Sequence, residues 1–506
     1  MLLIKLACLY FVIGCVYGSN TTTAEPTPPV EKNPGIIGRF TKSGFDNIIN
    51  NVARQFSDEV SKNALPDHKG SFRRFFVRVF YSATRMQIVQ FDMPEADLSP
   101  VPGKGLKLKI SDAYTTVTGH WLYAFTTRWL GARVRDDGTF LVIADDIDLD
   151  LELLFDMDEY GYPNMTVGNC TADIGDVDIQ LSGGASWFYN PFAKSIASAI
   201  KTDIVDRVCD EISVYVGQFA EKLQSLPMSA PIIKGVLDID FALVNPPVFT
   251  EDYVDIGVTG TVSVADSDDE IPFEAVPIER DDVSSKMMYI WVTDYVYNTF
   301  GYSLYKSGTM KYALDPQNID IIPKESEFHK LLPLKLADFE ILFPGLIKTL
   351  PDPELFLLFE LAAPPTFNTT VEGQLVTASV AVSLRVNEVN ATEDDDVIAI
   401  IMDAQVLVKP TMENERMTAV TELQWLRSKL TRSVFPDVLN GKIEDMMDSA
   451  LHVLTEDVGL PWLNTVAALD FPVVDDNWQH INSKVTTHQG YLLVETDFGA
   501  IPPSFS

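Results

Sequence analysis

The sequence predicts an α+β protein of two related halves, each combining antiparallel strands with a long amphipathic helix. In the stretch DDIDLDLELL, residues 145–154, apolar and acidic residues alternate, which is typical of a strand that buries one face. Between Trp187 and Leu223 the apolar residues instead recur every three or four positions, which indicates a helix. Both patterns return after residue 282.

The first half begins with a predicted helix and continues with strands. In GFDNIINNVARQFSDEV, residues 44–60, the apolar side chains have helical spacing. Alternating stretches at 86–93, 105–125, 139–155 and 168–184 predict antiparallel strands. The Asp137-Gly138 pair is a turn signal and predicts a turn between two of these strands.

The long helix predicted after Gly184 carries one apolar stripe, formed by Phe192, Ile196, Ile200, Ile204, Val208, Ile212, Val216, Phe219 and Leu223. A helix of more than thirty residues is roughly 50 Å long. It therefore requires an elongated sheet to cover the stripe. From periodicity alone, an ordinary packed core explains the stripe as well as a ligand pocket does.

The second half repeats this plan after a polar, Pro-containing stretch at 264–282. FPDVLNGKIEDMMDSALHVL, residues 435–454, has helical apolar spacing. SKVTTHQGYLLVETDFG, residues 483–499, predicts a closing hairpin. The two halves therefore look like divergent copies of one plan.

The N-terminus predicts export from the cell. Residues 1–18 have one lysine, an apolar run and a small residue at the end, as in a secretory signal peptide. The Pro/Thr-rich lead at 19–35 is predicted to be disordered. No later apolar stretch is long enough to span a bilayer. We expect a secreted, extracellular protein with N-glycosylation at the sequons of Asn20, Asn164, Asn368 and Asn390, whereas Asn169 abuts a cysteine and is expected to stay bare.

Removal of the signal peptide leaves two cysteines, Cys170 and Cys209. An even pair in an oxidising compartment favours a disulfide. Metal ligation and a reactive thiol are the alternatives, and the absence of a neighbouring histidine argues against both.

Composition argues against several functional classes. The net charge is −34, most of it from residues 231–506, so the overall field repels nucleic acid and anionic surfaces. No GxSxG, HExxH, Walker or CxxC motif occurs and the six histidines are dispersed, so we expect no enzyme, no cofactor and no metal. Acidic runs at 144–152 and 393–396 raise calcium binding as an alternative, but the first lacks the glycine of an EF-hand loop.

Blocks along the whole chain resemble one protein family. They include NPGIIGRFTKSGFDNI at 33–48, GLKLKISDAYTTVTGHW at 105–121, and GNCTADIGDVDIQLSGGASWFYNPF at 168–192 followed by Cys209. DFALVNPPVF at 240–249, YIWVTDYVYNTFGYSLYKSGTM at 289–310 and IIPKES at 321–326 continue the match in the same order. The family is that of bactericidal permeability-increasing protein, lipopolysaccharide-binding protein and the phospholipid and cholesteryl-ester transfer proteins.

The resemblance implies an elongated boomerang of two similar domains, each a rolled, barrel-like antiparallel sheet wrapped on a long helix, joined by a central antiparallel sheet. The expected division is an N-terminal lipid-binding domain at 36–230, central strands and linker at 231–285, and a C-terminal lipid-binding domain at 286–500. A disulfide between Cys170 and Cys209 would clamp the long helix to its strand.

In this family each domain encloses an apolar pocket for phospholipid or other acyl chains. A two-chain phospholipid carries on the order of 30 methylenes, each worth roughly 0.8 kcal/mol on leaving water, so a carrier needs a long apolar lining. The residues expected to supply this lining are Ile36, Phe45, Ile49, Val52, Phe56, Phe192, Ile196, Ile200, Phe435, Leu439, Met446 and Met447.

The endotoxin-binding members of the family carry a basic tip that meets lipid A phosphates. Here the comparable segments mix basic and aromatic residues, and the expected membrane- or lipid-surface residues are Lys69, Arg73, Arg74, Arg78, Trp121, Tyr123, Phe125 and Trp129. The alternative is that these aromatic rings pack inside the rolled sheet. Arg128, Arg133 and Arg135 add basic character to the same region.

The sequence therefore supports a secreted lipid-binding or lipid-transfer protein as the main hypothesis. Its expected partners are phospholipid or other lipid, held as ligand, and transiently a membrane or lipoprotein surface. An innate-immune lipopolysaccharide-binding or bactericidal protein is the alternative, and a calcium-dependent adhesion module is a third hypothesis.

Overall fold

The computed structural model describes most of the chain from residue 33 to residue 500. The described residues are 33–50, 64–65, 67–74, 77–126, 133–183, 186–225, 227–267, 270–314, 355–386, 396–434, 441, 444–445, 448–449, 451–453, 455–460, 469–470 and 478–500.

The described elements are mainly strands with few helices. The helices are α1 (residues 42–50), α2 (Ser186–Gln224) and α3 (Asp294–Lys306), with a short helical stretch at 451–453 and a π-helical turn at Thr455–Gly459. The strands up to residue 182 are β1 (Ile36–Thr41), β2 (Ala64–Leu65), β3 (His68–Arg74), β4 (Val77–Asp92), β5 (Glu95–Val101), β6 (Gly105–Thr126), β7 (Arg133–Met157), β8 (Pro163–Ile174) and β9 (Val177–Ser182).

The remaining strands follow α2. They are β10 (Ser229–Ile233), β11 (Leu237–Asp240), β12 (Val248–Phe249), β13 (Tyr253–Val258), β14 (Val262–Val264), β15 (Met288–Thr293), β16 (Lys311–Leu314), β17 (Leu355–Thr370), β18 (Gly373–Val386), β19 (Asp396–Glu413), β20 (Arg416–Ser433), β21 (Leu469–Asp470), β22 (Trp478–His488) and β23 (Tyr491–Ala500).

The N-terminal sheet is built on two very long strands. β6 has 22 residues and β7 has 25, and they pair with each other along nearly their whole length. The sheet order is β2-β4-β6-β7-β8, with β3 beside β4, β5 beside β6 and β9 beside β7. Among the described strands this order does not return to its start, so the sheet is open and forms no closed barrel, where a rolled, barrel-like sheet was expected.

A bulge interrupts the pairing of the two long strands. The pairing of β6 with β7 shifts register between Ile110 and Thr115, and on both strands the shift contains a residue with positive φ, Asp112 and Asp146. Such bulges bend a strand and increase its twist. At the same level β7 exchanges β9 for β8 as its neighbour, so one continuous strand serves two parts of the sheet.

The predicted alternation and the predicted long helix are both confirmed. Leu151 and Leu153 are buried while Asp146 and Asp148 are exposed, and β9 alternates in the same way. α2 spans 39 residues and packs on β8 and β9. Its described stripe residues are buried near the C-terminal end, at Val216, Phe219 and Leu223.

The turn predicted at Asp137-Gly138 is wrong. Both residues lie inside β7, paired with Leu122 and Trp121 of β6. The glycine is needed for close packing instead, because a Cβ at position 138 would lie 2.1 Å from the carbonyl oxygen of Ser182 and 2.9 Å from the Trp121 ring. The turn between β6 and β7 falls outside the described residues.

The predicted disulfide is confirmed. Cys170 on β8 bonds to Cys209 on α2, with an S–S distance of 2.06 Å and the Cα atoms 5.8 Å apart. It therefore fixes the middle of the long helix to the sheet that the helix covers.

A six-stranded central sheet joins distant parts of the chain in the order β12-β13-β1-β15-β23-β22. The N-terminal strand β1 lies between β13 and β15, and the C-terminal hairpin β22–β23 completes the sheet. The range 231–285, expected to supply the central strands, contributes only β12 and β13. The predicted closing hairpin is confirmed, with Gly490 in the left-handed region at its turn.

A buried arginine organises one face of the central sheet. The guanidinium of Arg39, 4% exposed, donates to both carboxylate oxygens of Asp255 at 2.7 and 2.9 Å and to Asp282 at 3.0 Å. It also stacks on the ring of Tyr253, 3.4 Å from its centroid. Since Asp282 belongs to the strandless stretch after β14, Arg39 holds that stretch against the sheet.

The C-terminal sheet has the order β16-β17-β18-β19-β20-β21, and β10, β11 and β14 form a separate three-stranded sheet. α3 packs on β17, where the carboxylate of Asp294 accepts a hydrogen bond from the Thr369 amide. The described part of the helix predicted at 435–454 is helical, and Glu444 and Asp448 accept hydrogen bonds from backbone amides of β20.

Candidate lipid-binding site

The face of the N-terminal sheet that meets α2, here called the inner face, is apolar in two places. The cluster nearer the central sheet contains Phe45 and Ile49 of α1, each 1% exposed. It also contains Leu98, Leu106, Leu108, Ile110, Leu151, Leu153, Val216, Phe219 and Leu223. Strands, α1 and the C-terminal end of α2 therefore share one apolar interior with Phe498 and Trp478 of the central sheet.

The second cluster lies farther along the same strands. It consists of Trp121, Tyr123, Phe140, Ile179, Leu181 and Ala197, of which Ala197 belongs to α2. Trp121 is 5% and Tyr123 7% exposed, so the expectation that these two rings lie on the molecular surface is wrong. Their strand positions put them on the inner face, opposite the N-terminal half of α2, where burial removes the rings from water.

Of the other residues expected to line the pockets, one lies in a different cluster and the rest are not described or lack a described side chain. Ile36 is buried in a different cluster, with Leu237, Leu243 and Val262, next to the three-stranded sheet. Phe192, Ile196 and Ile200 belong to α2, but their side chains lie outside what is described. Val52, Phe56, Phe435, Leu439, Met446 and Met447 fall outside the described residues.

The opposite, outer face of the same sheet carries the basic residues Lys69 and Arg135, and the strand pairing aligns further basic residues beside them across four strands. The pairing places Arg73, Arg78, Thr126 and Arg133 in one cross-strand row. A second row on that face contains Ser71, Phe80, Ala124 and Arg135, and a third contains Lys69, Ser82, Leu122 and Asp137. We call these three rows the basic rows.

The exposed members of the basic rows include Lys69, Arg135 and Phe80, whose side chain is 49% exposed. Sequence reasoning missed Phe80 because it sits among alternating residues without any local signal. Arg74 follows Arg73 on β3 and pairs with Val77 of β4. The side chains of Arg73, Arg74, Arg78 and Phe125 and the whole of Trp129 are not described.

Ion pairs position α1 beside the inner face. Lys42 at the start of α1 donates to Asp97 of β5 at 2.7 Å and also pairs with Asp46. Burial raises the pKa of the Asp97 carboxyl, but hydrogen bonds from Lys42 and Ser99 outweigh it and leave that pKa below its ordinary value of 3.8. The ionised carboxylate of Asp97 is therefore the form that pairs with Lys42.

The predicted glycosylation sites and acidic runs lie partly within the described residues. Asn368 is exposed and Asn164 half-buried, while Asn20 and Asn390 are not among the described residues. The described acidic residues, including the run on β7, form no group of three suited to a metal ion. Within the described chain no helix is both long and apolar enough to cross a bilayer.

Comparison with known proteins agrees with this architecture. The model of the LBP / BPI / CETP family, N-terminal domain, matches residues 44–226, and that of the C-terminal domain matches residues 232–500. Bactericidal permeability-increasing protein from Sebastes schlegelii is 24% identical over 469 residues, 92% of this chain and 95% of that protein. Human lipopolysaccharide-binding protein is 27% identical over 338 residues, covering 66% and 67%.

A crystal structure of lipopolysaccharide binding protein shares the fold, with a TM-score of 0.52 at 22% sequence identity, over 93% of this chain and 100% of that one. The two family models together cover most of the sequence, in the order of the chain. The antiparallel sheets, the long disulfide-bonded helix and the central sheet are thus those of a protein that belongs to the LBP / BPI / CETP family.

Proposed function

We propose that this protein is secreted and binds lipids by their acyl chains, carrying or presenting them outside the cell. The observation that carries the proposal is the inner face, where a 39-residue helix meets a sheet of very long strands at two apolar clusters. Apolar surface at two places along strands of that length suits acyl chains, because each methylene removed from water contributes roughly 0.8 kcal/mol. The family's relatives include proteins named for lipopolysaccharide binding.

The same proposal has three further parts. The chain divides into two domains at residues 36–230 and 286–500, the C-terminal half holds a second lipid pocket, and the protein has no catalytic activity. A non-catalytic role fits a family described by lipid binding and transfer. Export by the signal peptide at 1–18 fits it as well.

The test is to extract lipid from protein secreted by eukaryotic cells and to identify it by native mass spectrometry. Ala197, 4% exposed, faces the second cluster from α2, so Ala197→Trp should fill space between helix and sheet. We expect this variant to retain at most a third of the wild-type acyl content. Val214→Trp is the control, because Val214 is 54% exposed on the same helix. Folded wild-type protein that takes up no lipid from vesicles would refute the proposal.

Lipopolysaccharide binding is the second candidate function, favoured by the basic rows on the outer face. Charge-led binding to lipid A phosphates should weaken as salt rises, since screening shortens the range of the field to about 8 Å at 0.15 M. Lys69→Glu combined with Arg135→Glu should weaken endotoxin binding at least tenfold. Lys234→Glu combined with Lys429→Glu makes the same charge change at exposed sites elsewhere and should leave binding unchanged.

A further inference from the structure

The turn between β7 and β8 presents a tyrosine to solvent. Tyr160 lies in this turn and its side chain is 39% exposed. Within the described part of the chain its hydroxyl has no hydrogen-bond partner and its ring contacts no other aromatic ring. Buried tyrosine hydroxyls usually find a partner, so an exposed and unpaired phenol is one that another molecule can reach.

Hydrogen bonds at the base of the turn hold it in one conformation. The Asp158 carboxylate accepts from the amides of Tyr160 and Tyr162, both at 2.9 Å. The carbonyl of Gly161, which has a φ of 84°, accepts from the Leu243 amide at 3.0 Å. Gly161 is buried there, and a Cβ in its place would lie 2.7 Å from the Leu243 carbonyl oxygen. The base of the turn is therefore packed against the segment after β11, while Tyr160 stays at the surface.

The charged residues near Tyr160 in the sequence are all acidic. Asp156 and Glu159 are exposed beside it, and Asp158 is half-buried. No lysine, arginine or histidine occurs between Arg135 and Lys194. Such a segment is complementary to an enzyme whose active site is basic, because opposite charges on the two surfaces speed and stabilise their encounter.

A second tyrosine in an acidic segment shows what the tertiary structure adds. Tyr253 belongs to EDYVD, residues 251–255, so its surroundings in the sequence are also acidic. The guanidinium of Arg39 covers its ring at 3.4 Å from the centroid, and its hydroxyl forms a hydrogen bond with Asp282. These contacts close Tyr253 to an enzyme. Of the two tyrosines, Tyr160 is therefore the accessible one.

We propose that Tyr160 is a site of tyrosine O-sulfation during export. The donor is phosphoadenylyl sulfate: the phenol oxygen attacks its sulfur, and an O–S bond forms as the bond from sulfur to the phosphate oxygen breaks. The phenol proton passes to a base of the transferase and the nucleoside bisphosphate leaves, with no oxidation or reduction. Because donor and leaving group are both anionic, the transferase needs basic residues, which the acidic turn complements. The proposal rests on the proposed secretion, since the reaction belongs to the secretory pathway.

The test measures the intact mass of the full-length protein secreted by cultured mammalian cells, after enzymatic removal of N-glycans. We expect a species heavier by one SO₃ group that resists alkaline phosphatase and disappears when chlorate blocks synthesis of the donor. Tyr160→Phe should lose this species, whereas Tyr162→Phe, a change in the same turn, should keep it. Fragmentation spectra of the wild type should place the group on Tyr160 and find Tyr253 unmodified, so the assignment does not depend on the variants.

The possible failures are distinguishable. Secreted wild type without the heavier species, a species that phosphatase removes, or a group located on another residue would overturn the sulfation of Tyr160 and leave the proposed secretion standing. A chain that stays inside the cell would refute the secretion and the sulfation together.

Glu159→Lys tests whether the acidic neighbours guide the transferase. It reverses a charge next to the acceptor and spares the Asp158 carboxylate that holds the turn. We expect the sulfated fraction to fall about fivefold, because the new lysine is repelled by a basic active site. Glu413→Lys makes the same charge change at an exposed position on the C-terminal sheet and should leave the fraction unchanged. Equal sulfation of Glu159→Lys and wild type would contradict recognition by charge.

Discussion

Gly138 shows how one residue type can serve two purposes that the sequence does not separate. An Asp-Gly pair favours a turn because glycine tolerates positive φ. In β7 the same glycine instead leaves room for the Trp121 ring and the Ser182 carbonyl. The competing requirement is tertiary packing, which no local pattern reports.

Gly138→Ala should lower the free energy of unfolding by about 1–3 kcal/mol, because the added methyl group overpacks the inner face. Gly217→Ala is the matched control. That glycine lies in α2 with open space around it, so alanine should stabilise the helix by about 0.5–1 kcal/mol. Urea unfolding followed by circular dichroism measures both changes, and equal effects of the two variants would contradict the packing role.

Asp97 makes part of the stability depend on acid pH. Its pKa is lower in the folded protein than its ordinary value of 3.8, so its charged form stabilises the fold above that pH and this stabilisation is lost as the pH falls below about 4. Its side chain and that of Lys42 are partly exposed, which keeps the contribution below about 1 kcal/mol.

Asp97→Asn should therefore be less stable than wild type at pH 7, and the difference should shrink as pH falls from 4 to 2. Thermal unfolding across this range checks the expectation. A difference that stays constant with pH would show that the Lys42–Asp97 ion pair contributes nothing.

At the scale of elements, the disulfide compensates for the length of α2. The helix is fixed at its C-terminal end by apolar side chains, and the Cys170–Cys209 bond adds a covalent contact near its middle. The bond closes a loop with a sequence separation of 39, which in the chain-entropy model stabilises by about 4 kcal/mol.

Replacing both cysteines by alanine should lower the free energy of unfolding by about 2–5 kcal/mol. Differential scanning calorimetry without reductant measures the loss. Adding reductant should lower the melting temperature of the wild type toward that of the double variant and leave the variant unchanged. A wild type insensitive to reductant under conditions where free thiols are detected would contradict this role.

At the scale of the whole molecule, the central sheet unites the two ends of the described chain. β1 pairs with β13 and β15, and β15 pairs with β23. Ile37 and Phe40 of β1 are buried in clusters that also contain residues of β15 and β23. The N-terminal half is thus completed by strands that come much later in the chain.

A fragment of residues 36–230 should for this reason expose apolar surface that the full chain buries. We expect it to aggregate on size-exclusion chromatography and to bind more of the hydrophobic dye ANS per mole than the full chain does. A monodisperse fragment with low dye binding would show that the N-terminal half folds without the central sheet.

The sequence by itself determined the features that depend on local periodicity, and it determined the disulfide because only two cysteines follow the signal peptide. Three features have a short-range signature and agree with the structure: the alternation at 145–154, the hairpin at 483–499 and the C-terminal part of the α2 stripe. The pairing of the two cysteines that follow the signal peptide has a compositional signature and also agrees. Family resemblance added the two-domain plan.

Only the tertiary structure decided which residues share a face or a sheet. It buried Trp121 and Tyr123, aligned Arg73, Arg78 and Arg133 across strands, placed β1 in the middle of the central sheet and placed β22 at its edge. The physical reason is that each of these depends on the register between strands far apart in sequence. A one-residue shift in register exchanges the two faces of a strand, and no local pattern specifies it.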